Sequence, residues 1–182
     1  MSSDQNSYHS VPAQSQQAPF VFQIVGYKNS GKTTLLSQLT RKLKQAGFTV
    51  GTAKHDAHEF TMDTPGTDTW QHQEAGADIT AISSASRSAI ISNRTESLSA
   101  LLTHMQHVDF VLVEGFKQEH YPKLMLLRNP KDEPLLQLSN IVMIASWDTF
   151  DIPLHHASPT FGISDFDAIY NHLLTLHPFP PK

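Results

Sequence analysis

The chain has 182 residues, 39% of them hydrophobic, which suits one globular domain with its own core. Its formal charge of −4 argues against a general nucleic-acid binder, because phosphate contacts need a basic face. There is no cysteine, so disulfides and thiolate metal sites are excluded. No run approaches a membrane span and no signal-peptide core is visible, so a cytoplasmic protein is expected.

Residues 1–19 are rich in Ser, Gln and Pro and have little to bury, so a disordered polar arm is expected there, followed by a single domain over 20–176. Phe20 to Val25 is a short apolar run that reads as a strand. Gly26-Tyr27-Lys28-Asn29-Ser30-Gly31-Lys32-Thr33 then has the GxxxxGK[ST] spacing of a phosphate-binding loop (Walker A). Thr33 to Ala46 reads as a helix, with Leu35, Leu39 and Leu43 four apart on one face. Strand, glycine loop and helix are the context that the motif requires.

The spacing has a chemical reason. Gly26 and Gly31 let the backbone curl around a phosphate. The N–H groups from Asn29 and Ser30 through Thr34 and the helix N-terminus then face the anion. Lys32 reaches the β- and γ-phosphates, and the Thr33 hydroxyl is offered to Mg²⁺. The motif predicts a nucleoside triphosphate without choosing the base.

Gly47 is a C-cap candidate, and Phe48 to Lys54 reads as the second strand. Residues just beyond strand C-termini line the ligand crevice of an α/β domain. Lys54 there can contact phosphate, and His55, Asp56 and His58 can hold a metal or orient water. A polar loop with backbone-bonded histidines is the plain alternative. Pro65-Gly66 marks a turn, after which Asp68 or Thr69 is expected to cap a helix from about Trp70 to Ala75. Asp68 is read equally as a site residue. Ile79–Ser83 and Arg87–Ser92 read as a hairpin, which predicts a mixed, mostly parallel sheet. Leu98, Leu101, Leu102 and Met105 form the apolar stripe of another helix.

Phe110 to Val113 reads as a fully buried strand with Asp109 at its start and Glu114 at its end. Four extended residues span roughly 13 Å, so the two acids cannot share the crevice. Glu114, at the C-terminal end, is the candidate for Mg²⁺ or its water. Lys123–Arg128 reads as a further strand and Ile141–Ala145 as the last one, with Trp147 and Asp148 just beyond at the crevice. Asp148 can read a base edge, although no Asn-Lys-x-Asp guanine signature is present. A final helix carries Phe166, Ile169, Tyr170 and Leu173 behind an Asp165 cap, and 177–182 is a proline-rich tail.

The loop Gly26 to Thr33, Ala53-Lys54-His55, Pro65-Gly66-x-Asp68-Thr69, Ala75-Gly76-Ala77 and Val113-Glu114-Gly115-Phe116-Lys117, in that order, resemble the molybdopterin-guanine dinucleotide biosynthesis protein B (MobB) family. The resemblance runs from Phe20 to the final helix. It implies an α/β protein of the P-loop nucleoside triphosphatase fold that binds GTP and Mg²⁺, hydrolyses GTP weakly and forms a homodimer. It also implies work beside the nucleotidyltransferase that joins GMP to molybdopterin, with no nucleic acid and no membrane involved. Carried onto this sequence, the nucleotide site is Gly26, Asn29, Ser30, Gly31, Lys32, Thr33 and Thr34, with Lys54, His55 and Asp68 in shared polar motifs. Lys32 and Glu114 are the catalytic candidates, and Thr33 and Glu114 the metal ligands. Thr67 stands where the family usually has lysine and cannot supply its charge. A nucleotide-dependent adaptor without physiological hydrolysis and a small-molecule kinase are the alternatives.

Overall fold

The computed structural model describes residues 18–56, 60–147 and 157–178. Six strands form one sheet in the order β2-β5-β1-β6-β7-β8. They are β1 (Phe20–Val25), β2 (Val50–Lys54), β5 (Phe110–Glu114), β6 (Lys123–Leu127), β7 (Ile141–Ser146) and β8 (Thr160–Gly162). Every pairing within it is parallel. β5 and β6 are buried along their whole length, which is why they read as continuous apolar runs.

Alternation along β1 divides the core. Phe22 and Ile24 face α1 (Lys32–Gln45) and α4 (Phe166–Leu176), where Leu35, Leu39, Leu43, Ile169 and Leu173 meet them. Val21 faces the opposite side, with Val111, Val113 and Leu98 of α3 (Leu98–Thr103). Val25 packs on that second side with Met125, Leu127 and Leu135. Leu135 belongs to a 3₁₀ segment, Pro130–Gln137, that follows β6. Its start is a reciprocal cap, in which Asn129 accepts from the Lys131 N–H at 3.0 Å and Asp132 accepts in return from the Asn129 N–H at 3.2 Å, and also from the Arg128 N–H at 2.6 Å.

α1 ends as its sequence predicts. Gly47, at φ 89°, lets its own N–H reach the Lys44 carbonyl at 3.1 Å and the Phe48 N–H reach the Leu43 carbonyl at 3.1 Å. Phe48 then packs into the same cluster as Leu43, completing the motif with an apolar contact.

The expected hairpin is present as β3 (Ile79–Ser83) and β4 (Ser88–Ser92), paired antiparallel. It forms its own two-stranded sheet beside α2 (Asp68–Glu74), so the six-stranded sheet is parallel throughout instead of mixed. The short Ser84–Arg87 turn lets the two strands satisfy each other, with no demand on the main sheet. Ile141–Ser146 is not the last strand, because β8 pairs beyond it. Three-residue strands carry too little alternation to be seen in sequence.

The helix caps also differ from expectation. Thr67, not Asp68 or Thr69, caps α2 by accepting from the Trp70 N–H. Asp165 makes no side-chain cap to α4, and its carboxylate instead accepts from the Gly162 N–H at 3.3 Å. His177, assigned to the tail, stacks on Phe110 at 4.3 Å and meets Phe20 and Phe48 edge-on. Most of the expected N-terminal arm and of the tail lies outside the described residues.

Leu39 is wholly buried between α1 and the sheet. Leu39→Ala is expected to cost about 2–5 kcal/mol of stability, read as a lower urea midpoint with an unchanged slope.

Candidate anion and metal site

The C-terminal ends of β2, β5, β1, β6 and β7 open on one crevice of about 1010 Å³. Its lining includes Gly26, Asn29, Ser30, Gly31, Lys32, Thr33, Thr34, Lys54, His55 and Glu114, so these predicted site residues are brought together. Asp68 is not among the lining residues. It is exposed in the first turn of α2. His58 and Asp148 lie outside the described residues.

The two loop glycines serve different needs. A Cβ on Gly26 would sit 2.5 Å from Ser30 Oγ and 3.0 Å from the Leu126 carbonyl oxygen, so the loop's first turn has no room for a methyl group. Gly31 meets a conformational demand, with φ 98° immediately before α1. Asn29 is also left-handed, at φ 62°. Left-handed residues two apart, ahead of a helix N-terminus, shape a loop whose N–H groups can converge on an anion.

Two side chains from outside the loop clamp it. The Arg128 guanidinium, just past β6, donates to the Asn29 carbonyl at 3.0 Å. The Trp147 indole, just past β7, donates to the Ser30 carbonyl at 3.2 Å. Arg128 also stands over the Trp147 ring at 5.5 Å. The sequence placed Trp147 at the crevice but assigned Arg128 no role, although the same strand-end rule applies to both.

At the floor of the crevice, Thr33 donates its hydroxyl to both oxygens of Glu114, at 3.0 and 3.1 Å. Glu114 is buried, and Thr33 reaches it from the first turn of α1. A hydroxyl and a carboxylate this close are hard oxygen donors of the kind that would suit Mg²⁺. Asp109 lies at the other end of β5, where its carboxylate accepts from the Thr49 N–H and hydroxyl at 2.7 Å each. It has a structural partner and no access to the crevice.

Of the metal cluster considered at His55, Asp56 and His58, His58 lies outside the described residues, and among the described residues no group of three such ligands is found. The His55 ring meets Phe116 edge-on at 5.0 Å, and Asp56 pairs with Lys54 at 3.6 Å. Positive charge dominates the walls nonetheless. Lys32 donates to the Tyr27 carbonyl at 2.7 Å, and Lys117 stands over the Tyr27 ring at 4.4 Å. Burial holds the Lys32 ammonium below its ordinary range; Glu114 opposes that shift, and the charges of Lys117 and Lys54 add to it. In the sequence Lys117 stands only as the last residue of the Val113–Lys117 motif, with no role attached. Its position after Glu114 was a usable signal, because a loop leaving a strand C-terminus borders the same crevice.

These features define an α/β protein whose parallel sheet carries a glycine loop and a threonine–glutamate pair at its C-terminal edge. The chain belongs to the MobB family: the model for molybdopterin guanine dinucleotide synthesis protein B matches residues 21–147. It is 35% identical over 156 residues to the "Probable molybdopterin-guanine dinucleotide biosynthesis adapter protein" of Bacillus subtilis, covering 83% of this chain and 90% of that one. It is 36% identical over 124 residues to the molybdopterin-guanine dinucleotide biosynthesis adapter protein of Haemophilus influenzae, covering 66% and 70%. The crystal structure of Bacillus subtilis MobB superposes with a TM-score of 0.76 at 30% identity, over 88% of this chain and 99% of that one. Among the described residues no helix is long and apolar enough to cross a membrane.

Because Gly26 has backbone and a buried hydroxyl against it, Gly26→Ala is expected to cost about 1–3 kcal/mol through overpacking. Chemical denaturation of the variant beside the wild type measures this directly.

Proposed function

We propose that this chain is a GTP-binding adapter of the P-loop nucleoside triphosphatase class that serves molybdopterin-guanine dinucleotide assembly. The observation that carries the nucleotide reading is the Thr33–Glu114 contact directly behind the Gly26–Gly31 loop. Phosphate affinity alone would need only the loop and Lys32. A hydroxyl and an acid held together beside it add the donors for a phosphate-bound Mg²⁺. That ion would neutralise charge on the β- and γ-phosphates. Backbone N–H groups of Asn29 to Thr34 would hold the phosphate oxygens, and Lys32 would neutralise their outer side.

The adapter role is the one in the names of the relatives. We take the partner to be the nucleotidyltransferase that attaches GMP to molybdopterin. Guanine preference rests on the family, because no base reader is evident in the described residues. A homodimer is supported by the β3–β4 hairpin, where Ile79, Ile82 and Ile90 are exposed. Two-stranded sheets are marginal alone, and exposed apolar strands invite a partner.

Hydrolysis is slow in this reading. Lys32 and Glu114 supply binding and charge stabilisation, but neither positions an attacking water. Asp56 is engaged by Lys54 and the His55 ring packs on Phe116, so neither is presented as a free water-orienting group. GTP turnover by the purified protein alone is expected to fall well below ~1 per second, the low end of ordinary enzyme turnover. Its affinity for the nucleotidyltransferase is expected to change with the bound nucleotide. Rapid turnover together with equal partner affinity in every nucleotide state would leave an autonomous enzyme as the better account.

Lys32→Ala is expected to keep the fold and weaken GTP·Mg²⁺ binding by about tenfold or more, the scale of a lost charge-assisted hydrogen bond. Calorimetry decides it, and unchanged affinity removes Lys32 from the site. The same titrations carry a pH test. Bound phosphate stabilises the Lys32 ammonium that burial disfavours, so its pKa rises on binding. Binding therefore takes up a proton, and affinity falls as pH rises through the lowered free-protein value of Lys32. Calorimetry in buffers of different ionisation enthalpy reads that proton uptake.

A further inference from the structure

Tyr27, the second residue of the glycine loop, holds two cations at once. Its carbonyl accepts from Lys32 at 2.7 Å, and its ring lies beneath the Lys117 ammonium at 4.4 Å. Both lysines line the crevice with Lys54 and Glu114. The ring is a weak partner for an ammonium at a solvent-facing position, and Tyr27 is 41% exposed. A phosphate oxygen would be a stronger one.

The backbone around Lys117 is braced from beneath. Gln23, wholly buried in β1, donates its amide to the Gly115 carbonyl at 3.1 Å and to the Phe116 carbonyl at 2.8 Å. Lys123, wholly buried at the start of β6, donates its ammonium to the carbonyls of Glu119 and Tyr121. Gly115 and Phe116 are both left-handed, at φ 88° and 51°, and a Cβ on Gly115 would come within 3.2 Å of His55 Cβ. These contacts hold the main chain on each side of Lys117 and leave its side chain as the movable part.

The position also selects which phosphate Lys117 meets. The Lys32 tip, whose general role is at the β- and γ-phosphates, lies at the Tyr27 end of the loop. Thr33 and Thr34 lie at the other end, on α1. A polyphosphate laid along the loop from Thr34 therefore ends beside Tyr27 and Lys117. Lys117 and Lys54 both press electrostatically on Lys32, an arrangement of like charges that a polyanion relieves.

We propose that Lys117 is a second phosphate-binding cation that moves from the Tyr27 ring to the terminal phosphate of a nucleoside triphosphate, and so makes the site prefer triphosphate to diphosphate. The inference rests on the nucleotide reading above. It assigns to this chain a residue that senses the third phosphate.

The test compares wild type, Lys117→Met and Lys117→Arg by calorimetry, each with Mg²⁺ and either GDP or a β,γ-imido analogue of GTP. Thermal melts confirm that each variant is folded. Lys117→Met is expected to lose about tenfold or more in affinity for the analogue while GDP affinity changes by less than about twofold. Lys117→Arg is expected to keep most of the preference, which a merely structural role for the lysine stem would not predict. Equal losses for both nucleotides, or no loss for either, overturn the inference and leave the nucleotide reading intact. A wild type that binds neither nucleotide overturns that reading and this inference with it.

Discussion

One register sets the geometry of the crevice. β1 and β2 both pair in parallel with β5 so that Ile24 and Lys54 stand opposite Glu114. The three strands therefore end level, and the chain leaving β1 must turn at Gly26 directly beside the acid. Parity matters as much as height. Phe110 and Leu112 share the face of Phe22 and Ile24 that α1 covers, so Glu114 points to the same side and meets Thr33. A slip of one residue would send Glu114 to the α3 face and bring Val113 against α1.

The apolar layer under α1 keeps that register. Leu35, Leu39 and Leu43 lock the helix against the sheet, and the helix N-terminus then has one place to be. The loop is left to bridge a short, predetermined gap, which explains its two kinds of glycine. Gly26 is where the sheet edge comes too close for a side chain, and Gly31 is where the backbone must reverse into the helix. Arg128 and Trp147 then tie the loop's Asn29 and Ser30 carbonyls to the ends of β6 and β7.

On the opposite face the polar residues do a different job. Gln23 and Lys123 are wholly buried, yet neither lies in the crevice. Each gives its donors to carbonyls of the 115–121 loop, which has few main-chain partners of its own. Burial lowers the Lys123 pKa, the ordinary consequence of desolvating an ammonium, and the Glu119 charge opposes it. The sheet thus spends core volume on holding in place a loop that borders the crevice.

What the sequence determined by itself was local. The GxxxxGK[ST] spacing, the four-residue spacing of Leu35, Leu39 and Leu43, and the continuous apolar run into Glu114 each report on neighbours a few residues apart, and the structure places the loop, α1 and β5 accordingly. Asp109 and Glu114 were separable for the same reason, because an extended strand has a known length. What the tertiary structure decided was long-range. Nothing in the sequence of the hairpin shows that β3 and β4 pair only with each other, since sheet membership depends on which edges are already taken. That Thr67, not Asp68, caps α2, and that Asp68 does not line the crevice, depend on where α2 sits. Lys117 and Arg128 are ordinary surface cations in one dimension. They become neighbours of the glycine loop only when the parallel order β5-β1-β6 brings three distant strand ends side by side.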